Sequence, residues 1–171
     1  QHSTLNFPFS VREVVRLGSY PLTLSRNALS AAVAHWLARL EITHLAEALY
    51  PQLSGGERQR VQLARVLLQL SQAERPPLLL LDEPTAALDL GQQHRLLALV
   101  RELAAQQQMA VLMVLHDLNQ AAHYADRLLL LKDGRLLDDG PPQQVLRLEQ
   151  VEAIWHYRPV VSQLPGLRLL F

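Results

Sequence analysis

The sequence predicts an α/β protein in which a helical half, residues 1–72, precedes a sheet-containing half, residues 73–171. Three observations predict it. Apolar residues repeat at helical spacing behind capping residues through the first 72 positions. After Pro76 the runs Leu78–Leu81 and Ala110–Leu115 are short and continuously apolar, as strands of a parallel sheet buried on both faces are. Between them Leu90 to Gln106 reads as a helix, which completes a strand, helix, strand unit.

In chain order, Ser10 and Glu13 form a capping box, and Val11, Val14, Val15 and Gly18 then repeat at helical spacing until Pro21 stops the element. Leu29, Val33, Trp36, Leu37 and Leu40 predict a second helix whose apolar face needs a partner. Ser54 and Glu57 form another capping box, ahead of a helix with apolar Val61, Leu63, Ala64, Val66, Leu67 and Leu68. Near the end, Leu128–Leu131 and Leu136–Leu137 flank Asp133-Gly134, a hairpin signal expected to close the edge of the sheet. Two short helices, around Gln143 to Leu148 and Gln150 to His156, finish the chain.

Composition removes several function classes. With 49% apolar residues and a formal charge of +0, the chain can bury a core and carries no basic block that would call for nucleic acid. No apolar run approaches the roughly 18 residues of a membrane span. With no cysteine there is no disulfide, thiol catalysis or Cys-ligated metal. The start at Gln1 rather than Met, without a signal-peptide pattern, reads as a truncation.

The chemistry begins at Leu53-Ser54-Gly55-Gly56-Glu57. Two glycines at a helix start offer unpaired N–H groups and a positive dipole to an anion, and the Ser54 hydroxyl can add a donor. The same residues also suit a plain capped surface helix with a glycine turn. Asp82 and Glu83 follow the apolar strand Leu78–Leu81, at the strand end where open α/β sheets bind ligands. Asp82 suits a Mg²⁺ held through water and phosphate oxygens, and Glu83 suits a general base; a helix cap or solvated carboxylates is the plainer alternative. His116 follows the next apolar run and would reach the same sheet edge, although a lone His there is more often a structural hydrogen-bonder than a catalytic group.

Order and spacing of these motifs resemble the ATP-binding subunits of ABC transporters along essentially the whole chain. Leu53 to Glu57 resembles the signature, Leu78 to Glu83 the Walker B strand with its catalytic glutamate, Ala87-Leu88-Asp89 the D-loop and His116 the switch histidine. Gln1 falls where the family has its Q-loop glutamine, a Mg²⁺ contact. The resemblance implies a P-loop NTPase-like fold, with ATP and Mg²⁺ as cofactors. It also implies a homodimer closing head to tail, so that Ser54, Gly55 and Gly56 touch the γ-phosphate bound by the other subunit. Asp82 would hold Mg²⁺, Glu83 polarise water and His116 sense the γ-phosphate. Such a subunit sits peripherally on the cytoplasmic face of the bacterial inner membrane. It would dock on two permease subunits through residues near Phe7 to Pro21 and reach a periplasmic binding protein only indirectly. Val11, Val14 and Val15 would face the subdomain and Arg12, Arg16 and Tyr20 the permease, unless those arginines are simply solvated.

One departure is large: the phosphate-cradling Gly-x-x-x-x-Gly-Lys-Ser/Thr does not occur, and the only lysine is Lys132 between Leu131 and Asp133. By resemblance it would stand before Gln1. Among transporters, Gln1 to Val15, Leu115 to Asn119, Ala122 to Arg127 and Asp139 to Pro142 are most similar to the iron-siderophore, cobalamin and haem importers, and within them to the haem importers. The seven scattered histidines do not make a haem site on this chain. Two readings of other classes remain: a soluble ABC ATPase of DNA repair or translation, for which no heptad run or repeat is seen, and a non-catalytic interaction module lacking the phosphate loop.

Overall fold

A computed structural model describes residues 8–158 and 160, and these divide into two compact units, one ending at Leu112 and one beginning at Met113. Gln1 and Phe7, two residues of the sequence reading, lie outside the described residues.

The first capped repeat is helix α1, Val11–Arg16. Ser10 Oγ accepts from the Glu13 N–H (3.3 Å) while the Ser10 N–H donates to Glu13 Oε2 (2.7 Å), so both halves of the capping box form. The first-turn N–H groups of Val11 and Arg12, which no helix bond can satisfy, donate to the carbonyls of Ala48 and Ala46. Val11, Val14 and Val15 are fully buried, as their spacing predicts. On the other side Arg12 pairs with Glu47 at 2.8 Å, while Arg16 and Tyr20 are exposed.

Helix α2, Arg26–Arg39, is capped by Ser25 and buries Val33, Trp36 and Leu37. Helix α3, Gly55–Leu70, packs against both α1 and α2 and buries Val61, Leu63, Ala64, Leu67 and Leu68. The turn after α1 lies directly on α3: a Cβ built on Gly18 would stand 2.1 Å from the Arg65 carbonyl oxygen. Backbone cannot yield there as a flexible side chain could. Gly18→Ala is therefore expected to destabilise the fold by about 1–3 kcal/mol, the usual range for forcing extra volume into a packed site. The urea midpoint of the folded full-length protein measures it, and an unchanged midpoint would contradict this packing.

Strand β1, Leu78–Asp82, helix α4, Leu90–Gln107, and strand β2, Ala110–Val114, form the expected strand, helix, strand unit, with β1 and β2 paired. The Asp89 side chain accepts from the Gln92 N–H (2.8 Å) to start α4, and Gln108, in the left-handed region, ends it. The expectation of strands buried on both faces is not met. Leu79 is buried, but Leu78 and Leu80 remain 59% and 63% exposed, and Leu112 and Val114 51% and 50%. Among the described residues only one face of each strand is covered, so side chains that alternate across the pleat alternate in burial as well.

In the second unit, helix α5, Leu118–Tyr124, is capped by Asp117, whose Oδ1 accepts from the N–H groups of Asn119 and Gln120. Strands β3, Leu128–Lys132, and β4, Arg135–Gly140, make the predicted hairpin, with Asp133 and Gly134 both at positive φ (51° and 73°) as a two-residue turn matching strand twist requires. Arg127 grips Asp139 with two bonds of 2.6 and 2.7 Å at the open end of the hairpin and holds the Asp139 carboxyl below its usual range. The expected closing of a sheet edge by this hairpin is not seen among the described residues. Among the described residues β3 and β4 pair only with each other, with a register shift between Leu130 and Leu131. Helices α6, Pro142–Val145, and α7, Leu148–Trp155, close the described chain near their predicted positions.

Candidate functional site

Two segments of the first unit meet at the predicted chemistry: the start of α3 and the loop from β1 to α4. The α3 start repeats the logic of α1. Ser54 Oγ accepts from the Glu57 N–H (3.4 Å), and Glu57 Oε2 accepts from both the Ser54 N–H (2.8 Å) and the Ser54 hydroxyl (2.7 Å). These bonds, the hydroxyl first and the N–H second, hold the Glu57 carboxyl below its ordinary value of 4.5. The sign follows directly. A carboxyl whose folded pKa is depressed contributes fully above its unfolded pKa, so the cap weakens only as pH falls below about 4.5 toward the folded value. The N–H groups of Gly55 and Gly56 fall in the first turn, where the helix itself offers them no acceptor.

Gly56 is buried for a visible reason. A Cβ there would lie 2.7 Å from the Ala87 carbonyl oxygen and 3.0 Å from Leu88 Cδ2, whereas one on Gly55 would make an ordinary 3.5 Å contact with Ala87 Cβ. The second glycine thus lets the signature-like helix sit against the Ala87-Leu88-Asp89 loop.

Asp82 ends β1 and is exposed. Glu83 follows with φ +47°, a left-handed conformation that non-glycine residues seldom adopt, so strain is held where sequence placed the base. The loop beyond is fastened by side-chain amides. Gln59 Nε2 donates to the Glu83 carbonyl (3.0 Å), and Gln93 Nε2 donates to the carbonyls of Thr85 (3.2 Å) and Leu88 (3.0 Å). Pro84, Thr85 and Leu88 are buried while Asp82 and Glu83 stay accessible. Asp89 spends its side chain on capping α4, the structural role open to such a residue.

Among the described residues no group of three or more His, Cys, Asp or Glu could cage a metal. Mg²⁺ is commonly bound through one or two carboxylates with water and phosphate oxygens completing its shell, and the exposed Asp82 is a carboxylate of that kind. His116, exposed in the loop between β2 and α5, belongs to the second unit. Neither a hollow of about 670 Å³ lined by Leu137, Asp138, Arg147, Glu149 and Gln150 nor a 40 Å³ cleft beside Arg39, Arg60 and Arg95 contains any predicted site residue. Ser54, Gly55, Asp82 and Glu83 are exposed.

Gln59 belongs to none of the motifs that the sequence displays. Its signal was available: position 59 lies three residues after Gly56, on the same helix face, so a helix that presses Gly56 against the loop also presents residue 59 to it.

The model of the family described as ABC transporter matches residues 1–86. The chain belongs to the ABC transporter family. A hemin import ATP-binding protein, HmuV, of Shewanella denitrificans is 59% identical over 157 residues, covering 92% of this chain and 62% of its own length. The chain thus spans less than two thirds of that ABC relative. Among solved structures, the inward-facing structure of a proposed metal-chelate type ABC transporter superposes with a TM-score of 0.80 at 30% identity, over 99% of this chain and 68% of the other. A dimeric ATP-binding cassette in a post-hydrolysis state, bound to ADP and phosphate, superposes with a TM-score of 0.69 at 29% identity, over 80% of this chain and 58% of the other. The fold is therefore the α/β fold of ABC ATPases. Among the described residues no helix is long and apolar enough to cross a membrane.

Proposed function

We propose that this chain supplies the signature and the general-base segment of an ATP-hydrolysing subunit that powers haem import. The observation that carries the reading is the 59% identity, along 92% of the chain, with a relative named for hemin import. Likeness to the metal-chelate type transporter favours an iron-chelate cargo as the second reading.

In this reading residues 1–72 are the helical subdomain and 73–171 part of the catalytic core. ATP lies between two subunits, as the exposure of Ser54 and Asp82 and the likeness to a dimeric cassette support. Each subunit presents the Gly55 and Gly56 N–H groups and the Ser54 hydroxyl to the γ-phosphate bound by the other. For that contact the Ser54 hydroxyl turns from Glu57 Oε2 toward the phosphate, and the Ser54 and Glu57 N–H bonds keep the cap closed. Bound Mg²⁺ supplies charge neutralisation at the phosphate oxygens. Asp82 holds it, with Gln1 assigned to the same task by sequence alone, and Asp89 keeps the D-loop in register through its cap. Glu83 accepts a proton from the attacking water, and His116 orients toward the γ-phosphate. Since no Gly-x-x-x-x-Gly-Lys-Ser/Thr occurs in these 171 residues, the phosphate cradle comes from another segment of the protein. Mg²⁺-dependent ATP hydrolysis by the full-length gene product tests the reading, and a purified, folded product without it would refute it.

The subunit acts as a homodimer at the cytoplasmic face of the inner membrane, on two permease subunits. The permease surface lies on the exposed side of α1 and the turn after it. Because Arg12 is committed to Glu47, Arg16, Leu17 and the 95% exposed Tyr20 carry that surface. Arg16→Glu with Tyr20→Ala should leave basal ATPase within about a factor of two and weaken permease assembly, since charges at an interface rim govern association more than the distant chemistry. Co-purification with the permease measures it; undiminished assembly would move the docking surface elsewhere.

A further inference from the structure

We propose that Gln59 is a positioning residue whose carboxamide ties the signature helix to the general-base loop of the same chain, linking the two composite nucleotide sites of the dimer. The inference rests on the proposed function above, under which the start of α3 serves the partner's nucleotide and Glu83 serves its own.

Four observations converge on this amide. Gln59 Nε2 donates to the carbonyl of Glu83 at 3.0 Å, shorter than the 3.3 Å contact to the same carbonyl from the Ala86 N–H. Glu83 holds φ +47°, a conformation that relaxes unless neighbouring contacts over-determine it. The next residues cannot share in such a relaxation: Pro84 is ring-locked and buried, and the Thr85 carbonyl is held by Gln93. Finally, Gln59 Oε1 is buried with no partner, so this side chain is retained for a single bond although its other end is desolvated without return. A leucine would fill the space without that penalty, which makes the donor itself the reason for the residue. The assignment of Nε2 toward Glu83 is chemically fixed, because a carbonyl only accepts.

The linkage is short. Gln59 sits one turn beyond Gly55 and Gly56, and α3 moves as a rod, so any tilt of its N-terminus on meeting a phosphate pulls the peptide between Glu83 and Pro84. The Glu83 side chain swings with it. In this way occupancy of one composite site sets the aim of the base in the other.

The test uses the full-length gene product, comparing Gln59→Leu, Gln59→Glu and Glu83→Gln with wild type for kcat, KM for Mg-ATP and Tm. Gln59→Leu should lower kcat about tenfold or more while KM stays within about threefold, the pattern of misaimed chemistry rather than lost binding. Its Tm should not fall, because no packing is removed. Gln59→Glu cannot donate when ionised but can when protonated, so its kcat relative to wild type should rise as pH falls from about 8 to about 6, while the Gln59→Leu ratio stays flat. A Gln59→Leu kcat equal to wild type, or a Gln59→Glu profile as flat as that of Gln59→Leu, overturns the inference alone, provided Glu83→Gln is inactive. If wild type does not hydrolyse ATP, or Glu83→Gln hydrolyses it normally, the functional reading falls and this inference with it.

Discussion

Glu83→Gln in the full-length subunit is expected to lower ATP turnover by about 100-fold or more, the usual loss when a positioned general base is removed, while nucleotide binding persists. The amide is isosteric with the carboxylate, so it keeps the loop but cannot take the proton from water. Glu83 is accessible just after β1, its backbone is held in a left-handed conformation, and its carbonyl accepts from Gln59, so the substitution changes the exposed end of a residue whose backbone is already fixed. Steady-state phosphate release together with equilibrium binding of ATP separates the two effects. Bound nucleotide should also hold the dimer closed, visible as a stable dimer on size exclusion in ATP. Turnover near the wild-type rate would remove Glu83 from its role.

Gly56→Ala should be nearly as damaging, for a steric reason. The new Cβ would enter to 2.7 Å from the Ala87 carbonyl oxygen and 3.0 Å from the buried Leu88, so either α3 or the D-loop has to move. Overpacking of this kind costs about 1–3 kcal/mol of stability. A displacement of even about 1 Å near the chemistry can cost about 100-fold in rate. Gly55→Ala is the control for folding: its Cβ meets Ala87 Cβ at 3.5 Å, ordinary contact, and stability should change by no more than about 0.5 kcal/mol. Denaturant midpoints of the two variants make the comparison, and equal midpoints would mean that α3 is not seated against the D-loop as described.

What could be read in advance was local. Ser10 with Glu13 and Ser54 with Glu57 announce helix starts because capping is a contact over three residues, and Asp133-Gly134 announces a hairpin because few residue types tolerate two successive positive φ values. Leu78–Leu81 shows a strand, yet continuous apolarity cannot tell which face is covered, and Leu78 and Leu80 are open among the described residues. Whether the hairpin joins another sheet depends on the backbone groups that face its outer edges, which leave no trace in residue order. Arg12 illustrates the same limit: its partner Glu47 is 35 positions away, and nothing in the spacing of α1 distinguishes it from solvated Arg16. Asp82 and Glu83 were legible as a pair at a strand end. The bonds that Gln59 gives the Glu83 carbonyl and Gln93 gives the carbonyls of Thr85 and Leu88 were not, because they depend on how α3 and α4 pack around the loop.

The most direct measurement is uptake by the full-length subunit reconstituted in vesicles with its permease and periplasmic binding protein, in which ATP-dependent accumulation of haem is compared with that of a ferric siderophore and of cobalamin. Haem is expected to accumulate, only with hydrolysable ATP, and Glu83→Gln is expected to abolish the accumulation. Accumulation of the siderophore or cobalamin in place of haem, or haem uptake that survives Glu83→Gln, would contradict the proposed function.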